Sequence, residues 1–324
     1  MASIGFEQLG ERPQRTRPRG VLGIGWACLE SAVSGRAEHR PTSADYAPEI
    51  VRRVSFTAGG GLGWNISALT TPRERPALWK IVVITGAPSW AEYWAPVMAE
   101  LPPDREMIVV DRPGYGLSEP AECVEDIATQ ALALSPLLTT ARGQNLLLIG
   151  QSYGAAIAVL MAAANPRRVA VLALLSSYLG VNGPTARWLV DAGRRLKGVI
   201  PRDLRAAVIE VSGQAAQLGQ VREAIPALRC PIHVIHGDAD DFAPIDLARQ
   251  LAEETRTRRP IRFRTVAGAG HFINDGPTET VIANLEACLP PTPQPAGKAI
   301  GAWVSSLTGR LKPATGTGNE RAPA

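Results

Sequence analysis

The segment Gly150-Gln151-Ser152-Tyr153-Gly154 holds the most chemistry for its length. A serine on a sharp strand-to-helix turn exposes its hydroxyl as a nucleophile, and the backbone folds there so tightly that larger flanking side chains would collide. Gly150 and Gly154 meet that need. A serine hydroxyl is a poor nucleophile at neutral pH and requires a base within hydrogen-bond reach. The chain has four histidines. His39 lies far upstream, and His233 and His236 lie in or at the end of an apolar run. His271 alone sits on a glycine-rich loop after the last candidate strand, which makes it the expected base. An imidazole in that role needs a carboxylate to set its tautomer and stabilise the imidazolium. Asp238, Asp240 and Asp241 share one loop. An Asx turn or helix cap suits Asp238 and Asp241, and all three stay candidates for the acid on the residues alone.

These residues need a scaffold, and the apolar pattern between about residues 48 and 290 supplies one. Short runs rich in Val, Ile and Leu at 81–84, 107–110, 146–149, 169–175, 232–235 and 261–266 read as strands. Helical patterns fall at 91–101, 124–134, 153–164, 245–254 and 278–289. Strands apolar on both faces and separated by helices indicate a parallel sheet covered on both sides. Residues 50–56 and 64–69 flank Gly59, Gly60 and Gly61, the pattern of an antiparallel hairpin at one edge. The fold class expected is a doubly wound, mostly parallel α/β domain. In such sheets reactive groups collect on loops beyond the carboxyl ends of the strands.

Composition fits that reading. Of 324 residues, 45% are apolar and 20% charged, which excludes a mostly disordered or fibrous chain. No run approaches the roughly 20 apolar residues that cross a bilayer. A net charge of +4 is small for this length and predicts no nucleic-acid partner. Cys28, Cys123, Cys230 and Cys288 are far apart and lack metal-ligand spacing, so reduced thiols in a cytoplasmic, reducing compartment are expected. No metal and no cofactor are predicted. Asp111 and the run Gly114 to Ser118 imitate a phosphate loop, but no nucleotide-binding lysine or glycine fingerprint follows, so a structural turn is expected.

The ends read differently. Residues 1–47 are expected to form a loosely structured extension. Export is the lesser reading: Ala32 and Ser34 are spaced like a cleavage site, yet the run from Val21 to Val33 is late and broken by Gly23, Gly25 and Glu30. Residues 291–324 form a Pro-, Gly- and Thr-rich tail in which Ile300, Trp303, Val304, Leu307 and Leu311 fall at helical spacing, a short helix at 298–311. Docking on the protein's own body is expected for it, with peripheral membrane contact the weaker alternative. No pattern in these residues specifies an oligomeric state.

Over roughly residues 50–290 the sequence resembles the α/β-hydrolase family, in its serine hydrolase, esterase-like branch. Five segments carry the resemblance in the family's order. Thr85-Gly86-Ala87-Pro88, with Trp94 beyond it, is similar to the oxyanion-loop segment, and Asp111-Arg112-Pro113-Gly114-Tyr115-Gly116-Leu117-Ser118 to the segment after the next strand. Residues 150–154 resemble the nucleophile elbow, Gly237-Asp238-Ala239-Asp240 with Pro244 the acid loop, and Gly268-Ala269-Gly270-His271-Phe272 the histidine loop. The resemblance implies an eight-stranded sheet and a triad of Ser152, Asp240 and His271, the acid falling on the third residue after the glycine. It also implies an oxyanion hole from the amides of Ala87 and Tyr153. Thr85 departs from the family's usual histidine, which leaves the bracing of that loop to other residues.

The resemblance places a short helical cap at about 177–222, before the acid strand. Two helices are expected in it: 186–196, and 204–211 with Leu204, Ala207, Val208 and Val211 on one face. Arg187, Arg194, Arg195, Lys197, Arg202 and Arg205 make this cap basic; a solvated helix face is expected, with attraction of acidic substrates or an anionic interface the alternative. Trp90, Trp94 and Trp188 are candidates for an apolar substrate pocket. The expected function is a serine hydrolase cleaving a carboxylic ester or related acyl bond of a small molecule through an acyl-serine. C–C hydrolysis, peptide cleavage, acyl transfer and cofactor-free peroxidation are alternatives on the same triad, since fold does not choose among them. A non-catalytic ligand-binding protein is the alternative of another class.

Overall fold

The computed structural model describes residues 7–8, 41–254 and 261–290. Contacts within the chain separate Met1–Cys288 from Leu289–Ala324, and of the second unit only Leu289 and Pro290 are described. The stripe expected at 298–311 lies outside the described residues, as does most of 1–47.

Nine strands are described: β1 (Glu7–Gln8), β2 (Arg52–Thr57), β3 (Asn65–Thr70), β4 (Trp79–Ile84), β5 (Arg105–Val110), β6 (Asn145–Gln151), β7 (Val171–Leu175), β8 (Ile232–Gly237) and β9 (Ile261–Val266). They form one sheet in the order β1-β2-β3-β5-β4-β6-β7-β8-β9. The pairs from β1 to β5 in that order are antiparallel, and every later pair is parallel. Eight strands are those the family resemblance implies; the ninth is the two-residue β1, paired with β2 through Glu7 and Ser55. The expected hairpin is β2–β3.

The helices are α1 (Ala95–Ala99), α2 (Ile127–Leu134), α3 (Gly154–Ala164), α4 (Pro184–Leu196), α5 (Arg202–Ala224), α6 (Ile245–Glu254) and α7 (Thr278–Glu286). The central strands β4 and β7 are buried along their whole length, as strands covered on both faces must be. β9 alternates exposure, with Arg262, Arg264 and Thr265 in solvent at a sheet edge, where charge discourages pairing with another chain.

The structure differs from four local expectations. The helix expected at 91–101 is a 3-10 turn, Ala91–Trp94, followed by α1, because Pro96 has no N–H for a continuous ladder and fits only the first helical turn. α2 starts at Ile127, not Val124, since the Asp126 carboxylate accepts the Thr129 amide at 2.9 Å and caps it. The second cap helix runs to Ala224 rather than stopping at Val211. The extension also ends earlier than expected: the Ser43 amide and hydroxyl donate to Glu92 at 2.6 and 2.8 Å.

Parallel register brings the carboxyl ends of β4, β6, β7 and β8 side by side. The loops after Ile84, Gln151, Leu175 and Gly237 therefore share one edge of the sheet.

Candidate functional site

Ser152 follows β6 directly and has φ 51°, a left-handed value uncommon for a residue with a Cβ. The neighbouring glycines make the turn feasible. A Cβ on Gly150 would lie 2.6 Å from Ala155 Cα, and one on Gly154 would strike the Ile84 carbonyl and stand 2.6 Å from that of Thr85. α3 can thus start against β4. The Ser152 amide donates to the Leu175 carbonyl at 2.8 Å, fastening the turn to the next strand.

The structure brings together the three groups expected from sequence. Ser152 Oγ lies 2.8 Å from His271 Nε2, and His271 Nδ1 lies 2.9 Å from Asp240 Oδ2. A carboxylate only accepts, so Nδ1 carries the proton and Nε2 accepts from the serine hydroxyl. Asp240 Oδ1 accepts the amides of Phe242 and Ala243, each at 2.9 Å. His236 Nε2 lies 3.1 Å from Asp240 Oδ2 and 3.0 Å from the Ala243 carbonyl. Both are acceptors, so His236 holds its proton on Nε2. Burial works to raise the Asp240 pKa, but hydrogen bonds from His236, His271 and the Ala243 amide outweigh it and hold the carboxyl well below the usual range. Asp238 accepts the Gly268 amide at 2.6 Å instead, joining the acid loop to the histidine loop. Phe242 stacks on the His271 ring with centroids 5.1 Å apart, and Phe272 meets it edge-on at 5.2 Å.

On the other side of Ser152 stands the loop Thr85–Pro88. A Cβ on Gly86 would lie 3.0 Å from Ser152 Cβ, so glycine permits this approach. Neither the Ala87 nor the Tyr153 amide is among the described loop amides that donate to a backbone carbonyl. The loop is braced by Thr85 itself and by Arg112. Thr85 Oγ1 contacts Ser89 Oγ and donates to the Val110 carbonyl at 3.0 Å. Arg112 donates to the Thr85 carbonyl at 2.9 Å and to that of Gly86 at 2.7 Å. The same guanidinium pairs with Glu210 of α5 at 2.7 and 2.8 Å, both residues being almost fully buried. Burial opposes the Arg112 charge, but Glu210 more than offsets it, so the pKa is raised. Gln130 and Tyr115 donate to Glu210 at 2.7 and 2.5 Å, completing its acceptors. The turn after β5 is structural, as expected: Asp111 takes the Ala91 amide at 2.9 Å and Arg53 at 2.7 Å.

The three tryptophans do not converge on Ser152. Trp94 is fully buried and donates its indole N–H to Gln151 at 3.0 Å, so it props the residue before the serine from inside the core. Gln151 in turn donates to Asn274 at 2.6 Å, three residues beyond His271. Trp90 donates to Asp203 at 3.0 Å, tying the start of α5 to the segment after Pro88. Trp188 is 66% exposed on α4, too open to enclose a ligand. His236, Arg112, Glu210, Phe242 and Phe272 were missed as site-building residues. The His236 and Asp240 spacing of four was visible in sequence, whereas the Arg112–Glu210 pairing had no local signal.

Among the described residues no cluster of three or more His, Cys, Asp or Glu could hold a metal, and no helix is long and apolar enough to cross a membrane.

Comparison with known proteins adds the family. The chain is similar to RutD of Escherichia coli O9:H4 (strain HS), provisionally named a carbamate hydrolase, with 29% identity over 109 residues, 33% of this chain and 41% of RutD. The match thus spans about two fifths of that relative. Among solved structures, it resembles a thermophilic esterase from Thermogutta terrifontis (TM-score 0.55, 20% identity, 73% of this chain and 97% of that one). It resembles equally a haloalkane dehalogenase variant from Bradyrhizobium elkanii (TM-score 0.55, 16% identity, 80% and 100% covered). Likeness at such identity shows the fold, and these two names show that the fold serves different chemistries. The model of the alpha/beta hydrolase family matches residues 81–283, more than half of the chain. The chain belongs to the alpha/beta hydrolase family.

Proposed function

We propose that this protein is a hydrolase that cleaves a carboxylic ester or related acyl bond of a small molecule through a covalent acyl-serine on Ser152. The observation that carries the reading is the unbroken hydrogen-bond path from Asp240 through His271 to Ser152, with contacts of 2.9 and 2.8 Å. His271 takes the hydroxyl proton as Ser152 Oγ attacks the acyl carbon. Asp240 stabilises the imidazolium that forms, and its depressed pKa keeps it ionised for that task. The amides of Ala87 and Tyr153 receive the oxyanion of the tetrahedral intermediate. His271 returns the proton to the leaving group, then activates the water that releases the acyl group. Serine at the elbow argues against the aspartate-nucleophile chemistry found elsewhere on this fold.

A fluorophosphonate probe followed by mass spectrometry tests the reading. Ser152 is expected to carry the adduct, and Ser152→Ala and His271→Gln to lose both labelling and turnover of p-nitrophenyl esters while remaining folded. An unlabelled Ser152, or turnover that survives His271→Gln, would overturn it.

A further inference from the structure

β7 ends at Leu175, and the next two residues bury hydroxyls that meet nothing. Ser176 and Ser177 are 1% and 2% exposed, and neither Oγ has a hydrogen-bond partner among the described residues. Ser176 also has φ 43°, so it and Ser152 are the two non-glycine residues held in the left-handed region among those described. Strain of that kind persists only where surrounding structure enforces it, and it gathers at functional sites. A third unmatched atom faces the same turn from the cap. Gln214 of α5 is fully buried and donates Nε2 to the Tyr153 carbonyl at 3.3 Å. A carbonyl cannot donate, so the amide orientation is set, and Oε1 is left as a buried acceptor without a donor.

Hydrogen bonds tie the segment around Ser176 and Ser177, and Gln214 as well, to the Ser152 turn. Ser152 donates its amide to Leu175, Tyr178 donates to the Ser152 carbonyl at 3.2 Å, and Ser176 donates to Ile235 at 2.9 Å. The segment 175–178 therefore wraps the Ser152 turn, and Gln214 rests on the residue after it. Buried polar atoms without partners are rare, because each forfeits its bonds to water. Here three lie around one turn, and one of them belongs to the second strained serine, Ser176. Two hydroxyls that donate or accept and one amide oxygen that only accepts complement a group carrying its own donor, such as a hydroxyl or an amide N–H.

We propose that Ser176, Ser177 and Gln214 form a polar subsite for a hydroxyl or amide group close to the scissile bond, so that the substrate is a hydroxylated or amide-bearing ester rather than a plain alkyl ester. The proposal rests on the acyl-serine reading above. It assigns the strain and the unmade bonds to recognition of the matching substrate.

The test compares kcat/KM for p-nitrophenyl butyrate with its 2-hydroxy and 3-hydroxy counterparts, and for ethyl butyrate with 2-hydroxyethyl butyrate. At least one hydroxylated ester is expected to exceed its plain partner about tenfold, and that ratio to fall toward one in Ser177→Ala and in the double variant Ser176→Gly with Ser177→Ala. A buried site that lacks a partner in the free protein also predicts that the double variant melts higher than the wild type. Ratios near one for every pair, a ratio unchanged by the variants, or a lower melting temperature would each overturn the subsite, the last by showing that the hydroxyls already have partners. Fluorophosphonate labelling separates the two failures. Labelling of Ser152 with indifferent ester ratios refutes the subsite alone, whereas absent labelling with absent turnover refutes the acyl-serine reading beneath it.

Discussion

Two buried carboxylates lie on either side of Ser152, and each accepts four hydrogen bonds, two per oxygen. Asp240 takes the amides of Phe242 and Ala243 and the rings of His236 and His271. Glu210 takes two bonds from Arg112 and one each from Gln130 and Tyr115. Burial and satisfaction are alike, but chain distance is not. Three of the Asp240 partners lie within four residues, whereas those of Glu210 are 80 to 98 residues away. The acid is held mainly by its own loop and is set once that loop forms. Glu210 finds its partners only when α5 packs over the sheet. The first arrangement orients the proposed base; the second joins the cap to the loop Thr85–Pro88.

That contrast is most open to attack through Asp240→Asn. An asparagine can still accept both loop amides, but it no longer enforces the tautomer of His271. Ester turnover should fall about 10⁴-fold, as for the loss of such an acid elsewhere, with little change in the urea midpoint. A loss under tenfold would shift the acid's role to Asp238. Glu210→Ala should do the reverse and act first on folding. It leaves a buried guanidinium uncompensated, a change that typically costs about 3–5 kcal/mol, to be read from equilibrium urea unfolding. A cost below about 1 kcal/mol would mean that the cap is not held through this pair.

The pH dependence of stability sharpens the comparison. The Asp240 carboxyl is depressed in the folded protein, so its contribution is complete above its unfolded pKa of about 4 and is lost as pH falls toward the folded value. Wild type should therefore lose stability faster than Asp240→Asn below about pH 4, and parallel slopes would show that the folded protein does not favour the ionised acid. The smallest effect belongs to Trp188→Ala on the exposed face of α4. It should change stability by less than about 0.5 kcal/mol and leave kcat/KM for plain esters within a factor of two. A large loss of kcat/KM would restore Trp188 to the substrate site.

The same contrast explains what could be read from sequence. Strands such as Ile81–Ile84 and Leu146–Ile149 announce themselves because burial on both faces demands continuous apolar runs. Gly150, Ser152 and Gly154 are legible because a tight turn restricts residue type over five positions. The Asp240 loop is legible for the same reason, its contacts being near in the chain. α5 was read only to Val211 because its inward stripe is Asp203, Ala207, Glu210, Gln214, Gln217 and Val221, spaced alternately by four and three yet mostly polar. Helical periodicity sought among apolar residues cannot register such a stripe. The tryptophans differ again: aromatic type says that a side chain wants burial, not whether its neighbour is a ligand, the protein's own core, as for Trp94, or water, as for Trp188.

The stripe along α5 also limits how this protein can be re-engineered. Asp203 receives Trp90, Glu210 holds Arg112, Gln214 meets Tyr153, and Gln217 accepts the Ile127 amide at 3.0 Å. One residue inserted between Asp203 and Gln217 would turn everything beyond it by about 100° and break several of these links together. Transplanting a foreign lid onto this body should thus succeed at the joint around Gly198 and fail inside the longer helix, however closely the donor matches in hydrophobicity.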